Sequence, residues 1–165
     1  MTKDREITEK FWDALRDDRT MFLGLANGED GHARPMTAQL EDDDSDLYRG
    51  PVWFFTSTDN ALYQQIGTGA RAMAHFVSKD HEIWATFHGT LSTTRDPATI
   101  DRLWNRFVAA WYEGGKDDPK VALIRLDAEN AEIWLNASSM VSGLKMLLGM
   151  DPKEEYKDKV AKVSL

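Results

Sequence analysis

Residues 50–60 read Gly50-Pro51-Val52-Trp53-Phe54-Phe55-Thr56-Ser57-Thr58-Asp59-Asn60, and this stretch decides the fold. A short, strongly apolar and aromatic run passes straight into hydroxyl and amide residues. Val52 to Ser57 has the length and composition of a buried strand. Asn60 to Gly67 then reads as a short amphipathic helix with Leu62 and Ile66 turned inward. Backbone N–H groups at a helix start lack partners within the helix and attract anions. The junction therefore suits a flat aromatic ligand laid on the strand, with its phosphate at the helix start.

Working outward, the neighbouring segments also read mainly as strands. Upstream, Ile7, Phe11, Ala14 and Leu15 recur at helical spacing and predict a first helix over about Asp4 to Arg16. Met21 to Ala26 is a continuous apolar run of strand length. Asn27-Gly28 and Asp30-Gly31 supply turn residues that tolerate positive φ. Ala33 to Leu40 returns as a strand with Met36, Ala38 and Leu40 on one face. Pro35 cannot donate a ladder hydrogen bond, so this point is an edge or a bulge. Downstream, Arg71 to Ser78 and Glu82 to Thr93 predict two long strands joined by the turn Lys79-Asp80-His81. Ile83, Ala85, Phe87 and Leu91 share one face of the second, and Trp84, Thr86 and His88 the other.

Asp96-Pro97 predicts an N-cap with proline at the first helical position. Ile100, Leu103, Trp104, Phe107, Val108 and Trp111 then predict one long helical stripe, stopped by Gly114-Gly115. Trp104 reads as core on that stripe. Val121 to Leu126 and Ala131 to Leu135 read as a closing hairpin. Met140 to Met150 reads as another short helix. Strands dominate and are mostly joined by hairpins, which favours an antiparallel barrel flanked by helices over a βαβ sheet. Residues 1–150 form one expected domain and 151–165 a charged, loosely held C-terminal tail.

Bulk composition narrows the function classes. The chain has 165 residues, no cysteine and a formal net charge of -8. Cysteine chemistry is excluded: no disulfide, no thiolate nucleophile, no thiolate zinc site. The acidic balance opposes nonspecific nucleic-acid binding, which needs Lys and Arg to displace phosphate counterions. The polar start, Met1-Thr2-Lys3-Asp4-Arg5-Glu6, and the lack of any run of membrane-spanning length point to a cytoplasmic protein without a membrane partner. Glu41-Asp42-Asp43-Asp44-Ser45-Asp46 lacks the ligand spacing of an EF-hand and reads as a solvated loop.

Chemistry-bearing motifs are sparse. Neither a Gly-x-Ser-x-Gly elbow nor a Gly-rich phosphate loop occurs. His75 and His88 fall on neighbouring strands, but a metal site needs three or four ligands, so no metal is expected. Trp53 and Phe54 alternate, so one faces the barrel and the other a helix or a partner. Arg34, beside the strand-breaking Pro35, either aims a cation at a ligand or pairs with the acidic surface.

Taken together, these segments resemble the pyridoxamine 5'-phosphate oxidase-like split-barrel flavoproteins, in their general stress protein 26 branch. The likeness runs from about Ile7 to Asn136. It is carried by Ala33-Arg34-Pro35-Met36, Val52-Trp53-Phe54-Phe55-Thr56-Ser57, Trp111-Tyr112-Glu113-Gly114-Gly115-Lys116-Asp117-Asp118-Pro119, Val121-Ala122-Leu123-Ile124-Arg125-Leu126 and Ala131-Glu132-Ile133-Trp134, in that order. The resemblance implies a six-stranded antiparallel split β-barrel. It also implies a homodimer with flavin mononucleotide at the interface, FAD being the alternative cofactor. Arg34, Pro35, Met36 and Thr37 would line the isoalloxazine and ribityl side with Phe55 and Thr56 beside them. Ser57, Asn60 and position 62 would lie toward the phosphate, and Trp134 would reach the flavin from the late hairpin.

Two departures qualify that likeness. Leu62 stands where the family usually places a phosphate-binding Lys. After Trp134 the chain runs Leu135-Asn136-Ala137-Ser138-Ser139-Met140, without the Arg and His that hold substrate phosphate in true pyridoxamine-phosphate oxidases. The resulting expectation is a flavin-binding stress protein, as an oxidoreductase that does not oxidise vitamin B6. The alternatives are a non-catalytic protein that holds or buffers flavin, and a cofactor-free protein with a vestigial groove.

Overall fold

Eight strands and four helices follow one another in the computed structural model, which describes residues 2–27, 32–43, 45, 47–136, 147–149 and 159–165. Helix α1 (Lys3–Asp18) leads into strands β1 (Thr20–Leu25), β2 (Arg34–Thr37), β3 (Gln39–Leu40) and β4 (Val52–Ser57). Helix α2 (Ala61–Ile66) precedes the long pair β5 (Ala70–Val77) and β6 (Ile83–Thr94). Helices α3 (Pro97–Leu103) and α4 (Arg106–Ala109), then strands β7 (Val121–Leu135) and β8 (Val160–Ser164), complete the order.

The strands pair antiparallel in the order β2-β1-β5-β6-β7-β4-β3, with β8 also on β7. The two ends of that path, β2 and β3, are halves of one segment and are separated in sequence only by Ala38. A sheet whose first and last strands are covalently continuous has to curl back on itself. The result is an antiparallel half-barrel, mainly β with flanking helices, as the sequence predicts. Pro35 lies in β2, which pairs with β1 alone, so its missing N–H interrupts no second ladder.

Helix α1 covers the open side of the curl. Thr2 caps it by accepting the Arg5 N–H at 3.4 Å, and Asp4 and Glu6 complement the positive end of its dipole. Its apolar stripe buries Ile7, Phe11, Trp12 and Leu15 against Leu23, Phe76, Phe87 and Ile133. Phe11 meets Phe76 and Phe87 edge to face, with centroids 5.9 and 5.7 Å apart. A second, smaller core lies on the outside of β4, where Trp53 packs with Ile100, Leu103, Val121 and Leu123. Phe54 faces the main core and Trp53 faces α3, which is the alternation expected for a strand buried on both sides.

Several expectations need correction. The predicted closing hairpin is one strand, β7, which pairs with β6 on both sides of the expected turn, from Leu123 to Leu135. It absorbs the polar residues between its two apolar halves in a bulge, because Gly89 opposes Ala128 while His88 opposes Asn130. The expected long helix is broken: Trp104 is extended at φ -64°, ψ 136°, and Asn105 caps a new short helix. Asn105 competes for the backbone by accepting the N–H groups of Phe107 and Val108 itself. Trp104 is half-buried rather than core, with Phe55 edge to face at 5.7 Å. Among the described residues there are eight strands where six were expected, because the β2–β3 segment breaks at Ala38 and β8 is added. That last strand lies within the expected loose tail. It fills the side of β7 beyond the end of β4, where Ala161 is buried.

The turn residues Gly28 and Asp30-Gly31, and the residues Asp44 and Asp46 of the acidic run, lie outside the described residues. So does most of the helix expected over Met140 to Met150. Glu41, from the same acidic run, accepts from Trp53 Nε1 at 3.0 Å and from Arg102 at 2.9 Å, so this end of the loop is structural rather than merely solvated.

Gly89 sits where a Cβ would overlap the Asp127 carbonyl across the bulge. Gly89→Ala is expected to destabilise the fold by about 1–3 kcal/mol in denaturant unfolding, with little change in helix content. The Asp96 carboxylate accepts from the Thr99 N–H at 3.0 Å and hydroxyl at 2.7 Å, which hold it below its ordinary value of 3.8. A depressed carboxylate contributes stability above its unfolded pKa and loses it as pH falls through the folded one. Thermal melts in acid should therefore show part of the decline below pH 3.8 flattened in Asp96→Asn.

Candidate functional site

The seam of the half-barrel opens onto a groove of about 820 Å³. Its first wall is the β2–β3 segment, with Pro35, Met36, Thr37 and Gln39. Its second is the end of β4 and the turn beyond, with Phe55, Thr56, Ser57 and Asn60. Helix α4 and the residues after it supply Phe107, Val108, Trp111, Tyr112 and Glu113, and Asp118, Pro119 and Lys120 close the far rim.

Hydrogen bonds hold these walls together. Buried Gln39 accepts at Oε1 from Arg19 and from Asn105, each at 3.3 Å, which ties the seam to α1 and to the α3–α4 break. Tyr112 donates its hydroxyl to the Thr56 carbonyl at 2.8 Å and so clamps the loop after α4 onto β4. Burial, with the nearby Asp118 carboxylate acting in the same direction, pushes this phenol above its ordinary value. Tyr112 therefore stays a neutral donor at physiological pH. By contrast Phe107 and Trp111 line the groove while 68% and 85% exposed, with the Arg106 guanidinium 4.9 Å from the centroid of the Phe107 ring.

The β4–α2 turn is already well bonded. Asn60 caps α2 by accepting the Leu62 N–H at 2.9 Å, so one of the donors expected to face an anion is used internally. Ser57 donates to Asp59 at 2.6 Å, and Lys120 donates to the other oxygen of that carboxylate at 3.1 Å.

The structure brings seven of the ten sequence-selected residues into one groove: Pro35, Met36, Thr37, Phe55, Thr56, Ser57 and Asn60. Arg34 begins β2, one residue outside the lining. Leu62 is buried in the main core, so its side chain turns away from the groove. Trp134 is at the opposite end of β7 from Val121, in a separate concavity beside Val77 and Trp84. The sequence reading missed Phe107, Trp111, Tyr112 and Lys120. The first two were assigned to a continuous helical stripe, and the break at Asn105 turns them outward. His75 and His88 lie diagonally on one sheet face, since His75 opposes Thr86 and His88 opposes Met73. Among the described residues no group of three or more His, Asp or Glu could hold a metal ion.

A curled antiparallel sheet closed through a single seam segment, with an aromatic and hydroxyl-lined groove at the seam, defines a split-barrel protein. The chain belongs to the pyridoxamine 5'-phosphate oxidase-like family, whose model matches residues 6–157. It is similar to a general stress family protein from Xanthomonas campestris pv. campestris, at 58% identity over 84% of this chain and 93% of that one, with a TM-score of 0.77. The general stress FMN/FAD binding protein from Xanthomonas citri is also 58% identical, over 82% of this chain and 92% of that one, with a TM-score of 0.75. General stress protein 26 from Jannaschia sp. CCS1 is 26% identical over 97% and 99% of the two chains, with a TM-score of 0.74. Among curated proteins none matches the chain.

Because Leu62 is core, its truncation tests packing rather than ligand contact. Leu62→Ala is expected to cost about 2–5 kcal/mol in denaturant unfolding, as for other buried leucines.

Proposed function

We propose that the chain binds a flavin, FMN or FAD, in the seam groove. It would act as a homodimeric flavin-dependent oxidoreductase of the general stress protein type. The observation that carries this reading is the juxtaposition across the seam of Pro35, Met36 and Thr37 with Phe55, Thr56 and Ser57. A groove of about 820 Å³ falls in the range of pockets that take cofactor-sized ligands. The lining also suits the group. Met36, Phe55 and the exposed rings of Phe107 and Trp111 offer apolar faces to a planar ring system. Thr37, Ser57 and Asn60 offer hydroxyl and amide partners for its polar edge and ribityl chain. The Xanthomonas citri relative, described as FMN/FAD binding, supports the same ligand class.

Bound flavin would supply the electron transfer, and the protein would supply orientation and exclusion of solvent. Phe107 and Trp111 would cover the ring and displace water from it. The Tyr112 bond to Thr56 would keep that cover in register with β4. Arg34 is the candidate cation for the pyrimidine end. Vitamin B6 oxidation is not proposed, because the chain after Trp134 lacks the Arg and His that would hold that substrate.

Two observations support the homodimer. On the outer sheet face, Val77, Trp84 and Trp134 form a row across β5, β6 and β7, with Phe22 and Met73 also exposed nearby. Monomeric proteins rarely leave such apolar patches bare. Moreover, the extended length of β7 that separates Trp134 from the groove end is roughly 40 Å. A flavin touched both by Phe55 and by Trp134 would therefore take them from different protomers.

A second reading, a non-catalytic protein that holds and exchanges flavin, is favoured by the buried Leu62 in place of a phosphate-binding lysine. Purified protein mixed with FMN and desalted is expected to keep the visible flavin bands. A colourless product would refute flavin binding. If flavin is retained, steady-state oxidation of reduced nicotinamide separates the two: turnover supports the oxidoreductase, and a flavin that never cycles supports the binder.

A further inference from the structure

We propose that Lys120 is the phosphate-binding cation of the seam groove and that Asp59 is its exchangeable internal counter-ion. The inference rests on the flavin reading above and names the residues that select the phosphorylated form. Among the described residues lining the groove, Lys120 is the one Lys or Arg, whereas Glu113 and Asp118 are both acidic. A phosphomonoester carries nearly two negative charges at neutral pH. Entering this groove, it meets one cationic side chain in the lining, that of Lys120.

The backbone of Lys120 holds it at that place. Its N–H donates to Asp118 Oδ1 at 2.9 Å, and its carbonyl accepts the Thr58 N–H at 2.9 Å. The residue is thus bonded on both sides, to the loop before β7 and to the turn after β4. Its ammonium lies over that turn and donates to Asp59 Oδ2 at 3.1 Å, while Ser57 donates to Asp59 Oδ1 at 2.6 Å. Ser57 and Lys120, both in the groove lining, are therefore joined through the Asp59 carboxylate beside it.

Both ionic side chains are open to water, at 64% and 63% exposure. An ion pair this exposed contributes little to folding. Its partner can accordingly be exchanged: a phosphate that docks beside Ser57 takes the Lys120 ammonium, and the Asp59 carboxylate turns to solvent. The cation comes from the β7 side of the groove rather than from α2, which explains how position 62 can be an apolar core residue. Asp59 opposes binding by holding Lys120 and by repelling the dianion, so the two residues act with opposite sign.

The test is titration of wild type, Lys120→Met, Lys120→Arg and Asp59→Asn with FMN and with riboflavin, which lacks the phosphate, followed by flavin fluorescence at low and high salt. Thermal melts check that each variant is folded. Wild type is expected to prefer FMN. Lys120→Met should weaken FMN by about tenfold or more and leave riboflavin unchanged. Lys120→Arg should retain most of the preference. Asp59→Asn should tighten FMN roughly two- to fivefold. High salt should erode the preference in wild type but not in Lys120→Met. An unchanged ratio of FMN to riboflavin affinity in Lys120→Met, or an equal loss of both, overturns the assignment while leaving the flavin reading intact. Wild-type protein that binds neither flavin overturns both.

Discussion

One segment, Arg34 to Leu40, supplies both edges of the sheet, and the rest of the structure depends on that constraint. β2 pairs with β1 and β3 pairs with β4, yet only Ala38 separates them. The Ala38 N–H is bonded to the carbonyl of Arg19, the residue that ends α1 in a left-handed conformation at φ 61°. Arg19 also donates to Gln39. The helix that caps the barrel and the segment that closes it are thus joined at one point. Opening the seam would expose the main core and dismantle the groove together, because Pro35, Met36, Thr37 and Gln39 are both the seam and its wall.

That coupling holds the walls of the groove in place. The β4 wall is buried between two cores, Phe54 in one and Trp53 in the other, and cannot shift without disturbing both. The wall opposite is tied down by Gln39, Asn105 and Tyr112. Among the large apolar side chains of the lining, Phe107 and Trp111 are the exposed ones, and they are those that a planar ligand would cover. Rigid walls with an exposed aromatic cover limit what binding must order, which favours affinity.

The electrostatics of the site are modest and local. The chain is acidic overall, and the groove itself carries two acidic lining residues against one basic one. The exposed pairs around it, Lys120–Asp59 among them, do little for stability. On the proposed reading, their arrangement would instead govern which anion is admitted and how far salt weakens its binding.

Much of this was legible in the sequence. The alternation of Trp53 and Phe54, the stripe of α1, the faces of β6 and the Asp96-Pro97 cap are local patterns, dictated by strand and helix geometry within a few residues. The motif residues from Pro35 to Asn60 were legible for the same reason: two short segments carry them, and each declares its own strand. What only the tertiary structure decided depends on partners distant in the chain. The polar residues between Leu126 and Ala131 look like a turn, but β6 offers a continuous ladder with a bulge at Gly89, so they stay in strand. The stripe from Ile100 to Trp111 looks like one helix. Asn105 breaks it, however, so that Val108 stays buried while two aromatics reach the groove. Val160–Ser164 reads as tail until β7 proves to have a vacant edge. Leu62 turns into the core and Lys120 lies over the turn after β4 because burial, which a single sequence does not display, takes one side chain inward and leaves the other exposed.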